Sequence, residues 1–122
     1  MAIIPKERRR FLRVNFKQPL RYQVLGLGVL KNTITEDISL GGIGFINEEF
    51  IPTGTVIKLG FNVFLSYIEV LGKIVWVQLV PYSDRYRFGV EFRNLDLKAN
   101  KSISDFLELQ SIHLKKINQW QR

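Results

Sequence analysis

Two short segments of this chain carry side chains suited to holding a nucleotide. In Glu7-Arg8-Arg9-Arg10-Phe11-Leu12-Arg13, four arginines fall within six positions, and Arg9 and Arg13 are spaced R-x-x-x-R. Further on, Asp37-Ile38-Ser39-Leu40-Gly41-Gly42 is a compact D-x-S-x-x-G. A guanidinium meets phosphate through two parallel N–H bonds and stacks flat on a base. A carboxylate accepts both donors of one guanine edge, and glycine lets backbone approach a ligand closely. Together these types imply a site for a guanine nucleotide carrying more than one phosphate. Each segment also has a plainer reading. The arginines suit a solvated basic arm, and Asp37 with Ser39 suits an Asx-type turn after a strand.

Composition bounds the possibilities. At 122 residues and 46% hydrophobic content, the chain is long enough for one domain with a real core. It contains no cysteine, so disulfides, thiolate zinc sites and thiol nucleophiles are excluded. Residues 1–31 hold eight Lys/Arg and one acid, whereas the other 91 hold ten of each, so the N-terminal quarter carries the whole net charge of +7. That is a local anion site or arm, not a generally basic coat for nucleic acid. No apolar run reaches membrane-spanning length, and Met1-Ala2-Ile3-Ile4-Pro5-Lys6 lacks the apolar core of a signal peptide. The expectation is a cytoplasmic protein without membrane insertion.

The elements that must position these residues are mostly β. Residues 1–17 read as a basic N-terminal arm carrying R-x-x-x-R, and residues 18–122 as the folded part of a single domain. Leu20, Tyr22 and Val24 alternate with polar neighbours, as a half-buried strand does. Gly26 and Gly28 supply a turn before a partner strand over residues 29–36. The loop Asp37 to Gly42 precedes a short strand over 43–47, and further strands are predicted over 55–61 and 66–79, the latter bent at Gly72. Tyr86, Phe88, Val90 and Phe92 form the cleanest alternation in the chain. Residues 98–120 lack Gly and Pro, and place Ile103, Phe106, Leu107, Gln110, Leu114 and Ile117 near one helical face. Asp96 or Ser102 caps its start. About six closely spaced strands predict a small antiparallel barrel with a C-terminal helix.

In this order and at this separation, the two motifs resemble the PilZ family of bacterial cyclic di-GMP receptors. Gly72-Lys73-Ile74-Val75-Trp76-Val77 and Tyr86-Arg87-Phe88-Gly89-Val90-Glu91-Phe92 resemble later strands of that domain, and the likeness covers roughly residues 7–110. It implies a six-stranded antiparallel β-barrel with a C-terminal α-helix, cyclic di-GMP as ligand, and no cofactor or catalysis. The family's first motif falls on Arg9 and Arg13 with Arg8 just before it, and the second on Asp37, Ser39 and Gly42. Arg10 is a further cation, and Gly41 a further point of close approach. An arginine in the place of Arg8 implies a stacked pair of ligand molecules. Leu12 stands where the family often has proline.

Other residues carry less. Trp76 lies in phase with Ile68, Val70 and Ile74, which predicts a core position; stacking at the barrel rim is the alternative. Arg87 faces away from the apolar side of its strand. His113 has no partners for a metal or a triad. No paired carboxylates or Ser/His/Asp set supports an enzyme, and a phosphodiesterase would need metal ligands that the chain lacks. The leading expectation is therefore a receptor module that changes conformation on binding and signals to an unidentified protein partner. A barrel binding single-stranded nucleic acid is the first alternative, but it needs exposed aromatics among basic residues over a broad face. A ligand-independent protein-interaction domain using the helix is the second.

Overall fold

Among the described residues, seven strands are followed by one helix. A computed structural model describes residues 12–120, with side chains through residue 112. The strands are β1 (Val14–Asn15), β2 (Pro19–Val24), β3 (Leu30–Ile38), β4 (Gly42–Asn47), β5 (Val56–Val63), β6 (Ser66–Leu79) and β7 (Tyr86–Arg93). The helix α1 spans Leu97–Trp120. Every pairing is antiparallel. The order β3-β2-β5-β6-β7-β4 closes through β3–β4 pairing into a six-stranded barrel, with β1 as an extra strand on β3. Closure leaves no long free edge, which an open sheet of this size would have.

Alternation along the strands fills the barrel. Leu20 and Tyr22, Ile43 and Phe45, Ile57, Leu59 and Phe61, and Phe88 and Val90 all turn inward and are buried. Tyr22, Phe45 and Phe88 form an aromatic ladder, with ring centroids 5.6 Å and 4.9 Å apart. At the other end Ala99, Ile103 and Leu107 of α1 are buried, and Phe106 meets Phe16 edge to face at 5.2 Å. Asp96 is the cap of that helix: its Oδ1 accepts the Ala99 N–H at 2.7 Å.

The wall begins before the composition changes at Gln18. Val14 and Phe16 are buried, and Val14–Asn15 pairs with Ile38 and Asp37. Between β1 and β2 the ladder is interrupted, and the buried Thr35 hydroxyl bridges the gap. It accepts the Gln18 N–H at 2.9 Å and donates to the Phe16 carbonyl. A buried hydroxyl with both functions used costs little, whereas an unpaired one would be expensive.

Candidate ligand-binding site

The two motifs, 24 residues apart at their nearest charged members, meet on the outer wall. Arg13 Nη1 donates to Asp37 Oδ1 at 2.8 Å. Strand register explains the contact. Asn15 stands opposite Asp37, so Arg13, two residues earlier on the same face, is a diagonal neighbour within reach of a long side chain. Both side chains remain partly open to solvent, 42% for Arg13 and 35% for Asp37. An ion pair so exposed contributes little to folding and is readily exchanged for other partners.

Asp37 itself faces outward because of a bulge. Thr35 opposes Phe45 and Asp37 opposes Gly44, so Glu36 is an extra residue in β3. Strict alternation would send Asp37 inward with Thr35; the extra residue reverses the phase. The predicted loop from Asp37 therefore starts two residues later, since Asp37 and Ile38 are still in β3. Glu36 is held outside by Arg87, whose Nε donates to it at 3.3 Å.

Ser39 is buried and works within the turn joining β3 to β4. Its Oγ accepts the N–H groups of Gly41 and Gly42, each at 3.2 Å, and its own N–H donates to the Gly42 carbonyl at 2.9 Å. Gly42 admits no side chain, because a β-carbon there would run into the carbonyl oxygen of Val90. Beside this turn lies an open cleft of about 520 Å³, lined among others by Arg13, Ser39, Gly41, Trp76, Glu91 and Asn100. Of the sequence-predicted site residues, the structure brings together Arg13, Asp37, Ser39, Gly41 and Gly42. Arg8, Arg9 and Arg10 lie outside the described residues.

Trp76 corrects the sequence-based placement. Ile74 opposes Val90 and Trp76 opposes Gly89, leaving Val75 as an extra residue in β6. The phase reverses there, so Val77 packs toward the core and Trp76 turns out, 43% exposed, into the cleft wall. Period-2 counting cannot reveal such a shift. A weaker signal existed in Gly89, an outward position without a side chain inside an otherwise regular strand.

Among the described residues, no group of three or more His, Asp or Glu side chains is arranged to hold a metal ion. No described helix is long and apolar enough to cross a membrane.

Comparison with known proteins gives concordant results. The PilZ domain family model matches residues 7–109. The Bacillus subtilis inhibitor of motility, MotI/DgrA, aligns with a TM-score of 0.73 at 14% identity, over 85% of this chain and 51% of that one. This chain thus spans about half the length of that protein. The PilZ domain of YcgR from Escherichia coli, solved with c-di-GMP, aligns with a TM-score of 0.67 at 16% identity, over 91% and 98% of the two chains. The MrkH–c-di-GMP complex of K. pneumonia aligns with a TM-score of 0.69 at 16% identity, over 88% and 54%. No protein of curated function matches the chain by sequence.

Proposed function

The chain belongs to the PilZ domain family, and from that membership we propose that it is a receptor for cyclic di-GMP. The observation that carries this reading is the 2.8 Å contact joining Arg13 of the first motif to Asp37 of the second. The ligand would bring two phosphates and two guanines. Asp37 would accept from guanine N1–H and N2–H₂, donors that adenine does not present together, and Arg13 would give its fork to a phosphate or to guanine O6 and N7. The exposed Arg13–Asp37 pair is weak enough to be replaced by these contacts. Arg8, Arg9 and Arg10 would supply the remaining cations, Ser39 would hold the turn, and Gly41 and Gly42 would let the backbone come close.

Two finer points extend this reading. Arg8 would seat a second, stacked ligand, giving two per chain. The arginine-rich arm would close over the bound anion, because ligand phosphates relieve the repulsion among neighbouring guanidiniums. That rearrangement would be what a protein partner senses.

Calorimetric titration with cyclic di-GMP, against cyclic di-AMP and GTP, tests the proposal. Selective binding at about −7 to −9 kcal/mol is expected, with a ratio of two that falls toward one in Arg8→Ala. Absence of heat, or equal affinity for cyclic di-AMP, would refute the receptor reading. A ratio of one in the unaltered protein would refute only the stacked pair. Trypsin cleavage at Arg8 to Arg13 that is unslowed by saturating ligand would refute closure of the arm.

A further inference from the structure

Asn15, Asp37, Gly44, Gly89 and Trp76 form one row across β1, β3, β4, β7 and β6, each directly opposite the next. Row members point to the outside of the barrel, because their strand neighbours Ile38, Ile43, Phe45, Phe88 and Val90 are buried and Val77 packs against the core. Asp37 and Trp76 belong to this outer row only through the extra residues Glu36 and Val75. Two independent bulges therefore deliver two unlike side chains onto the same line.

The two positions between them carry no side chains, and both spaces are filled. A β-carbon on Gly44 would overlap the Asp37 carboxylate, with Oδ1 its nearest atom. A β-carbon on Gly89 would overlap the Trp76 indole at Nε1, Cε2 and Cδ1. Asp37 thus leans over β4 from one side, and Trp76 leans over β7 from the other. Gly44 and Gly89 are directly opposed, and β-carbons at such positions are about 5 Å apart. The carboxylate and the indole therefore stand over adjacent positions of one backbone floor. Arg13, bonded to Asp37, and Trp76 line the same cleft.

We propose that Gly44 and Gly89 are positioning residues that seat Asp37 and Trp76 as two walls of one purine slot. Asp37 reads the edge of a guanine and Trp76 supplies a stacking face. The need for glycine here lies in occupied space rather than in backbone conformation, since neither residue has a positive φ. Assignment of the guanine rests on the receptor reading above; the seating of the two side chains does not.

The first arm of the test needs no ligand. In a Trp120→Phe background, where Trp76 is the remaining tryptophan, Gly89→Ala should shift the emission and raise quenching by acrylamide. Unchanged emission and quenching would overturn the seating of Trp76. If Gly89→Ala does not fold, Gly89→Ala/Trp76→Ala should, because removing the indole vacates the space; failure of both would overturn the assignment.

The second arm is a calorimetric double-mutant cycle with cyclic di-GMP. Gly44→Ala and Asp37→Ala should each lose roughly tenfold or more in affinity, for a charge-assisted contact. The double variant should be no worse than Asp37→Ala, because Gly44 acts through that carboxylate. Additive losses, or full affinity in Gly44→Ala, would overturn the role of Gly44. Trp76→Ala should lose about tenfold, as for one stacked base, and undiminished affinity would overturn the stacking wall. If the unaltered protein binds no cyclic di-GMP, the receptor reading fails, while the fluorescence arm still decides whether Gly89 seats the indole.

Discussion

On the inner face of β4 and β7, Ile43, Phe45, Phe88 and Val90 are buried in the barrel. On the outer face of the same strands stand Gly42, Gly44 and Gly89, and the side chains that cover the last two come from β3 and β6. One face is filled by its own residues, the other by its neighbours'. The difference separates two properties that often travel together. Inner substitutions remove packing and should act on folding, whereas substitutions at Gly44 and Gly89 relocate a polar or an aromatic group and should act on binding.

The largest expected effect is on the inner face. Phe45 lies between Tyr22 and Phe88 in the aromatic ladder, so Phe45→Ala should cost about 3–5 kcal/mol of stability in urea unfolding. That is a large part of the stability of an ordinary small domain. A loss below about 1 kcal/mol would mean that this layer of the barrel collapses around a cavity, and the contrast between faces would weaken.

A sharper probe compares two outer glycines two residues apart. A methyl group at position 42 meets the Val90 carbonyl, a backbone atom held in the ladder, whereas one at position 44 meets only the end of the Asp37 side chain. Gly42→Ala should therefore cost about 1–3 kcal/mol of stability, as overpacking does, while Gly44→Ala should cost clearly less. Equal unfolding midpoints for the two variants would break the distinction between clash with backbone and clash with a movable carboxylate.

The smallest effect tests the polar edge of the inner face. Tyr22 is buried, and its hydroxyl accepts a 2.7 Å bond from Asn47 Nδ2. Burial pushes the hydroxyl above its usual pKa of 10.0, with the Asn47 bond pulling the other way. The folded protein thus keeps this proton at a pH where the unfolded chain releases it. Its stabilising contribution is complete below the unfolded value and declines as pH rises through the alkaline range. Tyr22→Phe should cost about 1 kcal/mol near neutrality and flatten that alkaline decline. Unfolding curves at neutral and alkaline pH check both, and an unchanged slope would show that another group controls it.

Much of this architecture is legible in local pattern. Alternation in Leu20–Val24 and Tyr86–Phe92 marks strands because each inner side chain makes its own demand for burial. The Gly- and Pro-free stretch after Asp96 marks a helix, and Asp96 is a capping type in a capping place. Trp76 was not legible, because its side is set by the Val75 bulge, and a bulge is defined by the count of residues on the partner strand. The inclusion of Val14 and Phe16 in the wall was equally hidden, since a two-residue strand has too few positions to show a period.

Chemical types and their order are set before the chain folds: a cluster of arginines near the N-terminal end, a carboxylate and glycines in a short motif, and apolar residues at sheet and helix periods. These are properties of residues and near neighbours, so no folded structure is needed to read them. Folding is what brings Arg13 to Asp37, turns Asp37 and Trp76 outward at their bulges, and lays them over Gly44 and Gly89. Those facts depend on barrel closure, which brings β3, β4, β7 and β6 side by side. Register across a closed sheet is fixed by all its strands together, and no single segment carries that information.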